Sequence, residues 1–202
     1  FDDEQFNIMD QRPKGLAASA ARTRQVHGAR IFNNMSSVDN FFYTNTENVA
    51  LVSNSHTTRS GASVTAGFDN LVTTGLSAVS LAAARIQMVN FRGDRAERIS
   101  VMPDEILIPP DLYEVAYEIV SSMGKLDVAN NNANVHYGQY NIYEWNYLTD
   151  TNNWALMDSS MRKQYLIWLD RVMLEFGWVE DFDTFNAKYR GYQRYSNGHL
   201  NW

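Results

Sequence analysis

The stretch Glu105-Ile106-Leu107-Ile108-Pro109-Pro110-Asp111-Leu112-Tyr113-Glu114 constrains this chain more than any other. An aliphatic run ends on two prolines, which remove two backbone donors and fix φ, while Ile108, preceding a proline, is held extended. A strand therefore stops there. Asp111 is placed to accept from the first amides of a following helix, and Glu114 stands three residues on, the spacing of a capping box. Leu112, Val115, Ala116, Ile119 and Met123 then recur as one apolar face of a helix that stops at Gly124. Beyond it, Asn130 to Asn134 is too polar for a core and reads as a loop. Tyr140 to Trp145 reads as a strand, Thr149 to Asn153 as a turn and Trp154 to Met157 as a short returning strand. The centre is expected to be one helix packed on a small sheet.

Around that centre, 202 residues suffice for one large domain or two small lobes, and 45% hydrophobic residues support a true core. No run approaches the roughly 20 apolar residues of a membrane span, and Phe1 to Gln5 lacks the basic flank of a signal peptide, so a soluble protein with no membrane partner is expected. The chain has no cysteine, which excludes a disulfide framework, a thiolate nucleophile and a cysteine-based zinc site. A formal charge of −6 argues against a dedicated nucleic-acid binder. Its distribution is uneven. Asp2, Asp3, Glu4 and Asp10 open the chain, whereas Gln11 to Val38 carries Arg12, Lys14, Arg22, Arg24 and Arg30 and no acid. That strip reads as a solvated helix face; the alternative is a surface facing a polyanion, whose binding weakens with salt.

Pro13 suits the first position of a helix running from Pro13 to about Asn34, with only a thin apolar stripe of Ala17, Ala20, Ala21, Ile31 and Phe32. Such a helix lies along a surface or against neighbouring subunits. Met35 to Asn70 reads as loops and short strands, with His56 a turn histidine bonded to backbone, since no second metal ligand stands at a suitable spacing. Ser77 opens a second helix whose expected buried face is Val79, Ala82, Ala83, Ile86 and Val89, ending near Arg92-Gly93. Arg92-Gly93-Asp94 reads as a charged turn into a strand, Ile99 to Met102. Gln164 to Phe176 is densely apolar with an ambiguous period. From Phe185 to Tyr195 the residues alternate as a long two-faced strand, paired with that apolar segment and ended by Gly198. One of its faces packs on a helix while Lys188, Arg190 and Arg194 point outward.

Chemistry is sparse. Capping accounts for Asp111 and Glu114, and Glu180, Asp181 and Asp183 cluster at a turn without an orienting base. There is no glycine-rich phosphate loop, Gly-x-Ser-x-Gly elbow, His-Glu-x-x-His helix or calcium loop. No catalytic, cofactor or metal residue is assigned, and the five tryptophans and eleven tyrosines read as core or interface residues, with sugar stacking the alternative.

Taken in order, the alanine- and arginine-rich helix, Leu51 to His56, the helix start Leu76 to Leu81, Ile106 to Leu112, Leu148 to Asp158, Lys188 to Arg194 and Gly198 resemble the major capsid protein of tailed bacteriophages. The similarity is to the Mu-type major head subunits, over roughly residues 16 to 198. The resemblance implies the α+β shell fold shared with encapsulins: a peripheral domain with a long spine helix and long antiparallel strands, and an axial domain with a small sheet flanked by helices. Residues 1–12 would be the remnant of an N-terminal arm and extended loop, 13–75 the spine helix and start of the peripheral domain, 76–159 mostly the axial domain, and 160–202 the return strands. The family places its arm and loop before the spine helix, and this chain opens at Phe1 rather than methionine, so a missing upstream start is expected.

The implied function is self-assembly as hexamers and pentamers into an icosahedral shell around double-stranded DNA in the virion, built in the host cytoplasm with portal and scaffold proteins and without a cofactor. Tyr143, Trp145, Tyr147 and Trp154 are candidate subunit-interface anchors, core packing being their other reading, and Arg22, Arg24 and Arg30 are candidate DNA-facing residues. Two further readings stay open: an encapsulin-like compartment for protein cargo, and a carbohydrate-binding module or glycosidase using exposed aromatics and the Glu180 to Asp183 acids.

Overall fold

The run ended by the double proline is strand β1 (Glu105–Ile108), and all four of its residues are buried in the computed structural model, which describes residues 8–42, 48–57, 68–125, 132–184 and 186–202. It is the middle strand of three. β2 (Asn141–Glu144) runs parallel to it, with Glu105 opposite Asn141, and β3 (Ala155–Met157) runs antiparallel, with Leu107 opposite Ala155. A parallel neighbour requires a crossover, here carried by helix α3 (Tyr113–Ser121). α3 and helix α2 (Ala78–Val89) supply Leu81, Ala116, Ile119 and Val120 to a core with Ile106, Ile108, Leu76 and Tyr140. The expected helix on a small sheet is therefore present, with a second helix beside it.

Several local expectations are corrected. Asp111 and Glu114 form no capping box: Pro110–Leu112 is a 3-10 turn, and neither it nor α3 has a side-chain cap. The amides that Asp111 was to bind are already taken, Leu112 N by Pro109 O and Tyr113 N by Pro110 O. On α3 the buried face is Ala116, Ile119 and Val120, whereas Met123 is exposed. Asn134 closes that helix from the polar loop, donating to Ile119 O at 2.6 Å and Ser122 O at 2.8 Å.

Ser77 does cap α2, in a reciprocal box with Ser80, but the helix stops at Val89, short of Arg92-Gly93. Its face is also reversed. Ser80, Leu81 and Ala84 are buried, while Val79 is 76% and Ile86 62% exposed and Val89 is exposed too. The sequence of α2 is apolar around most of its circumference, so periodicity cannot tell which side meets the core.

Ile99 to Met102 is not a strand. Arg92 and Arg98 form an isolated bridge around a turn with Ala96 at φ 63°, and the following strap is pinned by Met102 N to Asp158 at 2.7 Å and Asp104 N to Met157 O at 3.0 Å.

The ambiguous apolar segment divides into helix α4 (Ser159–Tyr165) and strand β4 (Leu166–Glu180). β4 pairs antiparallel with β5 (Ala187–His199), Leu166 opposite His199 and Trp178 opposite Tyr189, with register irregularities between Asp170 and Glu175. Gly198 does not end β5; it pairs with Ile167 inside the ladder, with Phe42 near enough to meet an added Cβ at 3.8 Å. The expected first strand residue, Phe185, lies outside the described residues, as do Phe1 to Asn7.

Helix α1 (Ile8–Asn33) runs along one face of this ribbon. It begins before Pro13, which sits inside it rather than at its first position, at the cost of one amide bond near a helix end. Leu16 packs by Gly191, Tyr195 Oη bonds His27 Nδ1 at 2.7 Å and Asn197 donates to His27 O at 2.9 Å. That leaves Lys188, Arg190 and Arg194 exposed on the other side.

A polar hub joins sheet to ribbon. Arg162 of α4 grips buried Glu105 with bonds of 2.5 and 3.0 Å, Asp104 accepts from Ser159, and Asp158 accepts from Ser160 N, Met161 N and Met102 N. Burial works against the charge of Asp158, but the bonds from Ser160, Met102 and Met161 outweigh it and hold its carboxyl below the usual range.

Two outcomes are expected. Leu81→Ala, in a site with no exposure, should cost about 2–5 kcal/mol in urea unfolding. Buried His136 donates to Ala78 O at 3.1 Å, and burial pushes its pKa below the ordinary value, Arg85 adding to this and the Ala78 bond opposing it. The unfolded chain then takes the proton more readily, so stability is full above about pH 6.5 and falls as pH drops below it. His136→Gln should flatten that fall between pH 7 and 5, read as the shift in urea midpoint.

Candidate assembly surface

An isolated two-stranded ribbon is marginal in water, and here strands of 15 and 13 residues are covered on one face by a single helix. Polar and aromatic contacts hold that helix. The Arg24 guanidinium lies 4.8 Å from the Trp168 ring and 5.3 Å from Tyr195, whose rings stack 4.8 Å apart, and it binds Asp170 through bonds of 2.7 and 2.9 Å. Arg30 is engaged in the same way, bonding Asp39 at 2.6 and 2.8 Å with Phe41 4.4 Å below it. The Arg30 bonds hold the Asp39 carboxyl well below the usual carboxylate range. Arg22 is exposed, and with Arg12 and Lys14 it makes no side-chain bond or ion pair among the described residues. Of the three arginines singled out in the sequence, two are therefore bound to carboxylates of their own chain and Arg22 is not.

The four singled-out aromatics also divide. Trp145 ties the end of β2 to α1: its Nε1 donates to Gln25 Oε1 at 3.0 Å, its ring meets Phe32 edge-on at 6.1 Å, and it lies against Gly28. Tyr147 is half-buried and its carbonyl accepts from Asn33 at 3.0 Å. Trp154 donates to Thr74 O at 3.2 Å and packs on the core. Tyr143 is exposed, with the Arg162 guanidinium 5.9 Å from its ring.

Sequence reasoning passed over a larger apolar surface. Leu169, Met173, Phe176, Trp178 and Val179 of β4 are exposed, and Phe182 at the turn is 90% exposed. The signal is present in β4 as a strand with large side chains on both faces, but the two register irregularities hide it. The long outer edges of both strands also lack a neighbouring strand among the described residues. Unpaired edges of this length recruit other strands unless they are covered.

Among the acids and histidines singled out in the sequence, Asp181 and His56 are engaged in local bonds. In the Glu180 to Asp183 turn, Lys188 binds Asp181, whose carboxyl it holds low, and Asp183 N bonds the same carboxylate. His56 is buried, bonds Leu51 O at 3.3 Å and stacks on Trp202 at 4.4 Å. A groove of about 280 Å³ lined by Met35, Leu51, Met88, Phe91 and Trp154 is mainly apolar, and its Asp158 and Arg162 belong to the polar hub. Among the described residues no three histidines or acids converge as metal ligands, and no helix is long and apolar enough to cross a membrane.

A family model described as phage capsid protein matches residues 1–201. No curated protein and no solved structure matches the chain.

Gly28 is the sensitive point of the seam between α1 and the sheet, because a Cβ there would stand 3.0 Å from Trp145 Cη2 and 3.8 Å from Trp168. Gly28→Leu should displace the Trp145 indole, costing about 1–3 kcal/mol in urea unfolding and red-shifting tryptophan emission.

Proposed function

The chain belongs to the phage capsid protein family, and from that premise we propose that it is a major head subunit that assembles as hexamers and pentamers into an icosahedral shell around double-stranded DNA. Its role as a structural component of the capsid, and its place in the virion, follow from the family itself. The observation that carries the finer reading is the ribbon: strands of 15 and 13 residues, clothed on one face, with exposed large apolar side chains and two edges that no strand among the described residues pairs. Such surface is a liability in a solitary molecule and an asset in a tiled one.

In this reading α1 and the β4–β5 ribbon form the peripheral lobe, and the three-stranded sheet with α2 and α3 forms the axial lobe that meets its copies around the capsomer centre. The mechanism is geometric. Each copy presents the same patches, and an interface of roughly 800 Å² per partner repeats until the shell closes. Exposed Tyr143 is an anchor on the axial side. Arg22, with Arg12 and Lys14, faces the packaged genome, because Arg24 and Arg30 are already neutralised by Asp170 and Asp39. Portal and scaffold proteins are the further partners, and assembly takes place in the host cytoplasm.

Electron microscopy of the full-length protein tests the reading: capsomers or shells are expected, and discrete monomers under all conditions would refute it. Leu169→Asp with Met173→Asp, at positions 64% and 74% exposed, should leave monomer unfolding within about 0.5 kcal/mol of wild type while abolishing shells.

A further inference from the structure

Two oppositely charged stretches of this chain carry side chains that form no ion pair among the described residues. Residues 99–124 contain five acids and no lysine or arginine, whereas residues 184–202 contain Lys188, Arg190 and Arg194 and no acid. Asp104 and Glu105 are used in the polar hub, leaving Asp111, Glu114 and Glu118 exposed along α3 and its leading turn. Beside them lie exposed Tyr113 and Tyr117, stacked 6.0 Å apart. On β5, Lys188 is committed to Asp181, and Arg190 and Arg194 flank exposed Tyr192 on the face turned away from α1. Glu175, opposite Tyr192, is the acid on that face. The side chains of Asp111, Glu114, Glu118, Arg190 and Arg194 make no bond or ion pair among the described residues.

Resting on the head-subunit reading, we propose that the Arg190–Tyr192–Arg194 face of one copy docks on the Asp111–Glu114–Glu118 face of α3 in the next. The dimensions agree: four strand residues span about 13 Å, and Asp111 to Glu118 spans about 11 Å. Both patches interleave charge with tyrosine, which suits desolvated guanidinium stacking as well as ion pairing. A polyanion would account for the arginines but not for α3. Its acids stand at i, i+3 and i+7 with no cation between them, and Glu118 lies in the last turn, where the helix dipole disfavours a negative charge. A cation arriving from a second copy removes that penalty. Because two different patches meet, the contact is head-to-tail, the kind that closes into rings.

The test uses two full-length variants, R190E/R194E and E114K/E118K, checked for folding by circular dichroism and followed by sedimentation and electron microscopy. Each alone should raise the concentration needed for capsomer formation at least tenfold, and an equimolar mixture should restore assembly, because each then supplies the charge that the other lacks. The milder R190Q/R194Q should weaken assembly several-fold. Unchanged assembly of the arginine variants overturns the proposal while leaving the head-subunit reading intact. So does loss without rescue on mixing, accompanied by lost heparin binding, which would make the arginines a polyanion surface. Wild-type protein that never exceeds a monomer overturns both.

Discussion

Burial of Glu105 inside β1 is the constraint from which the rest of the architecture follows. A carboxylate in a strand with no exposed residue is tolerable only with a hydrogen-bonded counter-charge, and Arg162 supplies it through two bonds. That requirement places α4 against the sheet. Asp158 caps the same helix and holds the strap at Met102, while Asp104 takes Ser159, so two acids close the start of a helix of only seven residues and Glu105 holds its last turn. β4 leaves directly from the end of α4, whose last turn carries Arg162, so the strand starts beside the ion pair with Glu105. Removing either charge would strand its partner, which costs far more than the pair contributes when intact.

The two halves joined at that hub are held by different physics. Around β1, aliphatic side chains from α2, α3 and the sheet meet in an ordinary core. Along the ribbon, α1 has few large apolar residues to offer, and its attachment runs through the Arg24 stack, the Tyr195 to His27 bond and the Asn197 to His27 bond. Directional contacts of this kind fix register well but bury little area. The ribbon thus has a defined position and an open surface, and Arg24, which stacks on it, also binds Asp170.

Much of this was legible in residues whose local physics is unambiguous. The double proline ended β1, Ser77 capped α2, the alternation from Ala187 to Tyr195 made a strand with its cations outward, and His56 bonded backbone. The failures share a cause. Asp111 lost its capping role because proline carbonyls in a 3-10 turn had already satisfied the amides. Gly198 stayed in its strand because a glycine in a paired ladder loses no hydrogen bond. Ile99 to Met102 looked like a strand but was bound to a side chain, Asp158, instead of a neighbour. In each case the competing partner was remote or of another kind, and periodicity carries no information about it. Trp145 and Trp154 bond Gln25 and Thr74 inside the chain, and nothing in the sequence marks an indole with such a partner.

The reversed face of α2 reaches further than a misassigned stripe. A helix that is apolar all round is ordinarily buried all round, yet Val79, Ile86 and Val89 face solvent while Leu81 and Ala84 fill the core. The helix has two apolar faces, and a single copy can bury only one. Helix propensity and the Ser77 cap keep α2 formed, so the second face is presented ready-made, without an ordering cost on contact. Any neighbour that covers it stabilises the folded state by mass action, which links the stability of the subunit to its concentration. For a member of a capsid protein family that link has a direction: a copy that leaves apolar surface uncovered alone gains most from any neighbour that covers it.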